Sequence, residues 1–224
     1  MTGIGIGMGA GDEEEEMIRL RKRREERRHA TLNMEWEMYA QTPLPLRVAA
    51  QAAAGVMLQA VVTLGEKTDE GHLIEAVAPA WFEIARLIRA DPKAMHQIDP
   101  RKWEEMIAAW YKQYGFDEVI LTPRSGDLGR DVIAVKRGVL SVRILDQVKA
   151  YSPGHVVPAN DVRALAGVLA LDRSASKGLV TTTSDFAPGV HTEFASMIPT
   201  RLELVNGAEL NRRLIEVASK QPHG

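Results

Sequence analysis

Behind Asp99-Pro100, apolar positions recur at helical spacing: Trp103, Ile107, Trp110, Tyr111 and Tyr114, until Gly115 stops the run. Aspartate suits the N-cap and proline the first helical position. Beyond Gly115 the period shortens. Glu118–Thr122 reads as a strand, Pro123–Arg130 as a polar loop and Asp131–Val135 as a second strand. Arg137-Gly138 makes a hairpin turn and Leu140–Lys149 returns as the partner strand. A helix at Ala159–Leu171, a strand at Gly178–Thr182, a helix near Pro188–Met197, a strand at Arg201–Val205 and a helix from Ala208 to Ser219 follow. The order α-β-β-β-α-β-α-β-α predicts an α/β fold with a mixed β-sheet flanked by helices.

The first half is patterned differently. Pro43 and Pro45 close any earlier helix and open an Ala-rich helical segment, Arg47–Leu64. Gly65–Gly71 reads as a charged loop. Pro79 starts a helix with Trp81, Ile84, Leu87 and Ile88 on one face, and Asp91-Pro92 ends it and begins a short one. The predicted organisation is a charged tail or helix over 1–30, a helical N-terminal region over 31–98 and a second domain over 99–220.

Charge and composition narrow the functional classes. The chain has 224 residues and a formal charge of −2, so any nucleic-acid binding has to come from a local patch. With no cysteine, disulfides, thiolate zinc sites and cysteine nucleophiles are excluded. Aromatic residues make up only 5%, too few for a single-strand stacking platform. The acidic run Asp12–Glu16 and the basic run Arg19–Arg28 read together as a solvated, self-neutralising helix. Neither a secretory signal nor a membrane span is expected: Gln51, Gly55 and Gln59 interrupt the longest apolar stretch. A cytoplasmic location is the expectation.

The glycines Gly3, Gly5, Gly7, Gly9 and Gly11 lack a preceding strand and a Lys-Ser/Thr ending, so they do not make a phosphate loop. The six histidines show no zinc-binding spacing, and no GxSxG elbow is present. One constellation remains. Asp131 opens a strand after the loop Ser125–Arg130, and the next strand ends in Gln147-Val148-Lys149. Residues two apart on a strand share a face, so Gln147 and Lys149 point together, and the hairpin brings that face beside Asp131. Glu104, on the preceding helix, could complete the group. Carboxylates, an amide oxygen and a lysine suit Mg²⁺-assisted attack on a phosphodiester.

At these residues the sequence resembles the Mrr-like type IV restriction endonucleases, a branch of the PD-(D/E)xK nuclease superfamily. The resemblance runs from about Ile98 to Leu214. It includes Trp103-Glu104, Gly115-Phe116, Thr122–Asp127, Gly129–Ala134, Gln147–Tyr151, Val162–Leu169, Gly178–Phe186 and Leu202–Gly207. It implies a restriction-endonuclease-like sheet in which Asp131 binds the metal and Gln147 takes the place of the superfamily's usual glutamate. Lys149 is then the catalytic lysine and Glu104 the helix-borne carboxylate. It further implies Mg²⁺ as cofactor, double-stranded DNA as substrate and a role in defence against foreign or modified DNA. A repair or recombination nuclease, or a silent DNA-binding module, shares the same core. Arg124, Arg130 and Arg143 are candidate phosphate contacts, and Asp127 reads as a turn residue.

Two positions depart from the family's pattern. Leu128 stands where a glycine is common, and Asp146 where the strand usually carries an apolar residue. Alternation aims Asp146 under the helices, where an unpaired charge is costly. Either it is paired there, or a bulge turns it into the metal site. Because one such centre cuts one strand, a homodimer is expected. The small residues of Val48–Val62 would form its interface.

Overall fold

The computed structural model describes residues 52–123 and 129–219, together with 16–17, 19–24, 26–27, 30 and 34. The chain divides into two compact units, 1–52 and 53–224. In the first unit every described residue is helical and solvent-exposed, Met17, Leu20 and Met34 included.

The second unit is built on a seven-stranded sheet whose spatial order repeats its order in the chain. The strands are β1 (Val62–Thr68), β2 (Gly71–Val77), β3 (Glu118–Leu121), β4 (Val132–Lys136), β5 (Val142–Lys149), β6 (Lys177–Thr182) and β7 (Leu202–Val205). Pairing is antiparallel from β1 to β5 and parallel from β5 to β7. The helices that accompany it include α1 (Pro79–Ala90), α2 (Pro100–Gln113), α3 (Ala159–Leu171), α4 (Val190–Glu193) and α5 (Gly207–Ser219).

Two apolar cores sandwich the sheet. On one face Trp81, Ile84 and Ile88 of α1, Trp103 and Met106 of α2 and Leu210 and Leu214 of α5 pack on Val119, Val132 and Leu179. The two buried indoles are satisfied: Trp81 Nε1 donates to Met106 O and Trp103 Nε1 to Met95 O, both at 3.0 Å. On the other face Val162, Leu165 and Leu169 of α3 meet Ile133, Leu145 and Val180. Strand β5 serves both. Ile144 and Val148 pack on the α2 side and Leu145 on the α3 side, so Asp146 falls to the α2 layer and Gln147 and Lys149 to the α3 layer.

The expected elements from Asp99 onward are present. Asp99 accepts from the Arg101 amide at 2.8 Å as N-cap of α2, and Gly115 takes φ 90° after it. The helix expected at Pro188–Met197 is α-helical only over Val190–Glu193 and continues as turns.

The larger correction lies before residue 99. The helix expected at Arg47–Leu64 reaches only residue 58 among the described residues, and the charged loop expected at Gly65–Gly71 belongs to the β1–β2 hairpin. The helical region expected over 31–98 therefore contains a β-hairpin. The boundary expected at 98/99 falls inside the second unit, because β2 pairs with β3 and α1 packs on α5.

Gly71 makes the hairpin fit. Its φ is 149°, and a Cβ there would lie 2.2 Å from Leu121 O, against the backbone of β3. Gly71→Ala is expected to destabilise the unit by about 2 kcal/mol or more, since φ strain and backbone overlap act together. Urea denaturation of the two proteins measures this.

Candidate active site

The hairpin β4–β5 opens at the end where Asp131 and Lys149 lie. Val132 pairs with Asp146, so the same register would set Asp131 against Gln147. Instead the Asp131 amide donates to Asp146 O at 2.9 Å, and its carboxylate Oδ2 accepts from the Val148 amide at 2.7 Å. A side chain has taken over the ladder's role there, and the two strands part around it. Thr122, buried at the end of β3, fixes the chain from behind. Its amide donates to Asp131 O at 3.0 Å and its Oγ1 to Arg130 O at 2.8 Å.

Gln147 is 7% exposed, and its Oε1 has no hydrogen-bond partner. A buried amide oxygen left this way is costly unless something binds it. Gly129 lies against this side chain and takes φ 75°, a left-handed conformation that favours glycine. An orphaned hard oxygen beside a carboxylate fits a Mg²⁺ ligand pair. Among the described residues no group of three or more His, Asp or Glu is assembled as a metal cluster.

Lys149 is half-buried on the same face as Gln147. Its backbone is pinned to β6, where Thr182 Oγ1 and the Thr183 amide donate to Lys149 O at 2.7 and 3.2 Å. Its ammonium stands 3.9 Å from Asp161 Oδ2, in the first turn of α3. Tyr151 OH donates to that oxygen at 2.9 Å. Burial, and then the Asp161 bond and charge, push the Tyr151 phenol up to about 12, so it remains a donor at neutral pH. His155 meets the Tyr151 ring edge-on, with the centroids 4.4 Å apart.

The structure brings together Asp131, Gln147 and Lys149 but sets Glu104 on α2, over the opposite face of the sheet. Glu104 pairs there with Arg101, one turn earlier. Arg130 and Arg143, the candidate phosphate contacts, both bridge Glu70 and Asp172. Arg130 lies 3.3 Å from each carboxylate, and Arg143 lies 2.6 Å from Glu70 and 3.8 Å from Asp172. A phosphate contact by either arginine requires release from these pairs. Arg124, Asp127 and Leu128 lie outside the described residues.

Asp146 resolves in favour of pairing. The β4–β5 register runs without a bulge up to it. It is 1% exposed and accepts at Oδ2 from Tyr111 OH at 2.9 Å and Thr181 Oγ1 at 3.1 Å. Burial pushes its carboxyl up to about 7, against the pull of those two donors, and the Asp131 charge adds to the rise. The Tyr111 phenol is driven up in turn, by burial and then by Asp146. Asp146 thus fastens the active strand to α2 and β6 from beneath.

Sequence reasoning missed Asp161, Glu70 and Asp172. Asp161 is an acid in a first helical turn, a position the helix dipole alone explains. Glu70 sat in a stretch read as a loop, and Asp172 closes α3 as its C-cap.

Comparison with known proteins follows the geometry. The restriction endonuclease family, as its Mrr catalytic domain, matches residues 95–214, just over half of the chain. No curated protein matches the chain. Among solved structures, MspJI restriction endonuclease in complex with a 27-mer oligonucleotide aligns at 17% identity and a TM-score of 0.41, over 62% of this chain and 31% of its own. The DNA modification-dependent restriction endonuclease AspBHI aligns at 19% identity and a TM-score of 0.43, over 61% and 34%. The matched part thus spans about a third of either structure's length. Among the described residues, no helix is long and apolar enough to cross a membrane.

Proposed function

Because the chain belongs to the restriction endonuclease family, we propose that it is a Mg²⁺-dependent endodeoxyribonuclease that cuts duplex DNA in defence against foreign or modified DNA. The observation that carries this reading is the shared position of Asp131, Gln147 and Lys149 at the opened end of β4–β5, with Gln147 Oε1 buried and unpartnered. Asp131 and Gln147 would hold the metal. Bound Mg²⁺ supplies polarisation of a phosphoryl oxygen and a water of lowered pKa. Lys149 offers its ammonium donors to the scissile phosphate or the attacking water. Glu104, the helix-borne carboxylate, pairs with Arg101 over the opposite face of the sheet and is not assigned to the metal-binding pair.

The test is digestion of methylated and unmethylated plasmid DNA with Mg²⁺ or with EDTA. Nicking or cutting that needs Mg²⁺ supports the reading, and its absence on every duplex counts against it. A double-strand cut needs two such centres, so the active form is proposed to be a homodimer. Light scattering at micromolar concentration should give twice the chain mass. Part of the expected interface, residues 48–51, lies outside the described residues, and Val62 belongs to β1.

Gln147→Glu should strengthen Mg²⁺ binding, since it adds charge to a hard ligand of the same shape. The added carboxylate is buried beside Asp131, so the metal-free variant should melt several degrees lower. A loss of about 1–2 kcal/mol is expected from the like charges alone. Excess Mg²⁺ should restore it by mass action. Calorimetric titration and thermal melting read both effects.

A further inference from the structure

We propose that Asp161 is a positioning residue for Lys149, and that Tyr151 fixes Asp161 for that task; this rests on the reading of Lys149 as the catalytic lysine. Three observations carry it. First, the Asp161 carboxylate, although in the first turn of α3, is engaged by side chains outside that helix. The N-cap of α3 is Pro158, with no side-chain cap, and Asp161 turns outward to the sheet. Second, among the described residues Asp161 is the acidic group within ion-pair distance of Lys149 Nζ. At 3.9 Å the contact is too long for a hydrogen bond. The ammonium is therefore drawn to one side without being locked, and keeps its three donors for a phosphate or a water.

Third, the far side of Asp161 is rigid. Tyr151 OH donates to the same Oδ2 that faces Lys149. Tyr151 in turn is held at both backbone ends. Its amide donates to Thr183 Oγ1 at 2.8 Å, and its carbonyl accepts from that hydroxyl at 2.9 Å. Its ring rests against His155. Lys149 and Tyr151 are two apart, so both lean over the α3 face of the sheet, with Asp161 between them from above. The sequence order of a strand lysine, a tyrosine two residues on and an aspartate near the start of the next helix thus closes into one local unit.

Two measurements on the full-length protein test this. In the first, Lys149 is labelled by an amine-reactive ester in EDTA and read by mass spectrometry against exposed Lys93. Asp161→Asn should speed Lys149 labelling several-fold and Tyr151→Phe should speed it less. Unchanged labelling in Asp161→Asn overturns the proposal. In the second, cleavage of methylated plasmid DNA is followed with Mg²⁺. Asp161→Asn should lower kcat about tenfold or more while KM stays within about twofold, because a mispositioned group costs rate rather than binding. Asp161→Glu should recover part of the loss. A loss confined to KM, or one that tracks a lower melting temperature, overturns the proposal. Wild-type cleavage by Lys149→Ala would instead sink the assignment of the centre, and the labelling result still decides whether Asp161 holds the lysine.

Discussion

Asp131→Ala is expected to lose DNA cleavage almost completely while the sheet stays folded. The carboxylate does two jobs that the variants separate. As the proposed metal ligand it would support transition-state charge stabilisation of several kcal/mol, and its loss would correspond to a rate loss of about a thousandfold. As a hydrogen-bond acceptor it satisfies the Val148 amide at 2.7 Å, which contributes about 1–2 kcal/mol to stability. Asp131→Asn keeps an acceptor oxygen for that amide and removes the charge. Both variants should therefore be inactive, with Asp131→Asn the more stable in urea. Cleavage by either at the wild-type rate would defeat the assignment.

The largest expected effect on stability belongs to Asp146. Asp146→Ala leaves Tyr111 OH and Thr181 Oγ1 buried without their acceptor, at about 1–3 kcal/mol each, and opens a small void under β5. A total loss of about 3–5 kcal/mol is expected by urea denaturation. Asp146→Asn should cost far less, because its carbonyl still accepts from Tyr111. The pH dependence separates the two further. The folded carboxyl titrates near 7, above the ordinary value of 3.8. Between those two values the unfolded chain has released the proton while the folded protein keeps it. This contribution to stability is whole below about pH 4 and is lost as pH rises through 7. In EDTA, the wild type should lose stability over that window relative to Asp146→Asn. Parallel curves for the two proteins would refute the shift.

The chain from Asp99 onward was legible because its punctuation is strong. Asp99-Pro100, Gly115 and Arg137-Gly138 mark ends that the backbone geometry respects, and the apolar runs between them have clear periods. The β1–β2 hairpin was not. β1 is an edge strand in which Thr63, Leu64, Glu66 and Lys67 are exposed, so no buried face imposes alternation on the sequence. Its register also shifts twice.

The site divided along the same line. That Gln147 and Lys149 share a face beside Asp131 follows from strand period, and their roles from the family resemblance. The need for a partner at Asp146 could be read from its position, but Tyr111 could not be named, because in sequence it is one more member of an apolar stripe. Asp161 and Glu70 depend on which helix end or turn arrives beside the strands, and local pattern does not carry that.

A sheet whose strands stand in the order of synthesis can be laid down in the order of synthesis. Each strand from β2 onward finds its neighbour already emerged, and the antiparallel run β1–β5 needs no element from later in the chain. The parallel strands differ, because β6 docks only after α3 has crossed over. A nascent chain that has emerged as far as Lys149 therefore already contains Asp131, Gln147 and Lys149. It still lacks Thr181 to satisfy Asp146, Thr182 to pin Lys149, and the whole α3 cover. Assembly of the centre is thus deferred to the last third of translation, well after the scaffold that bears it.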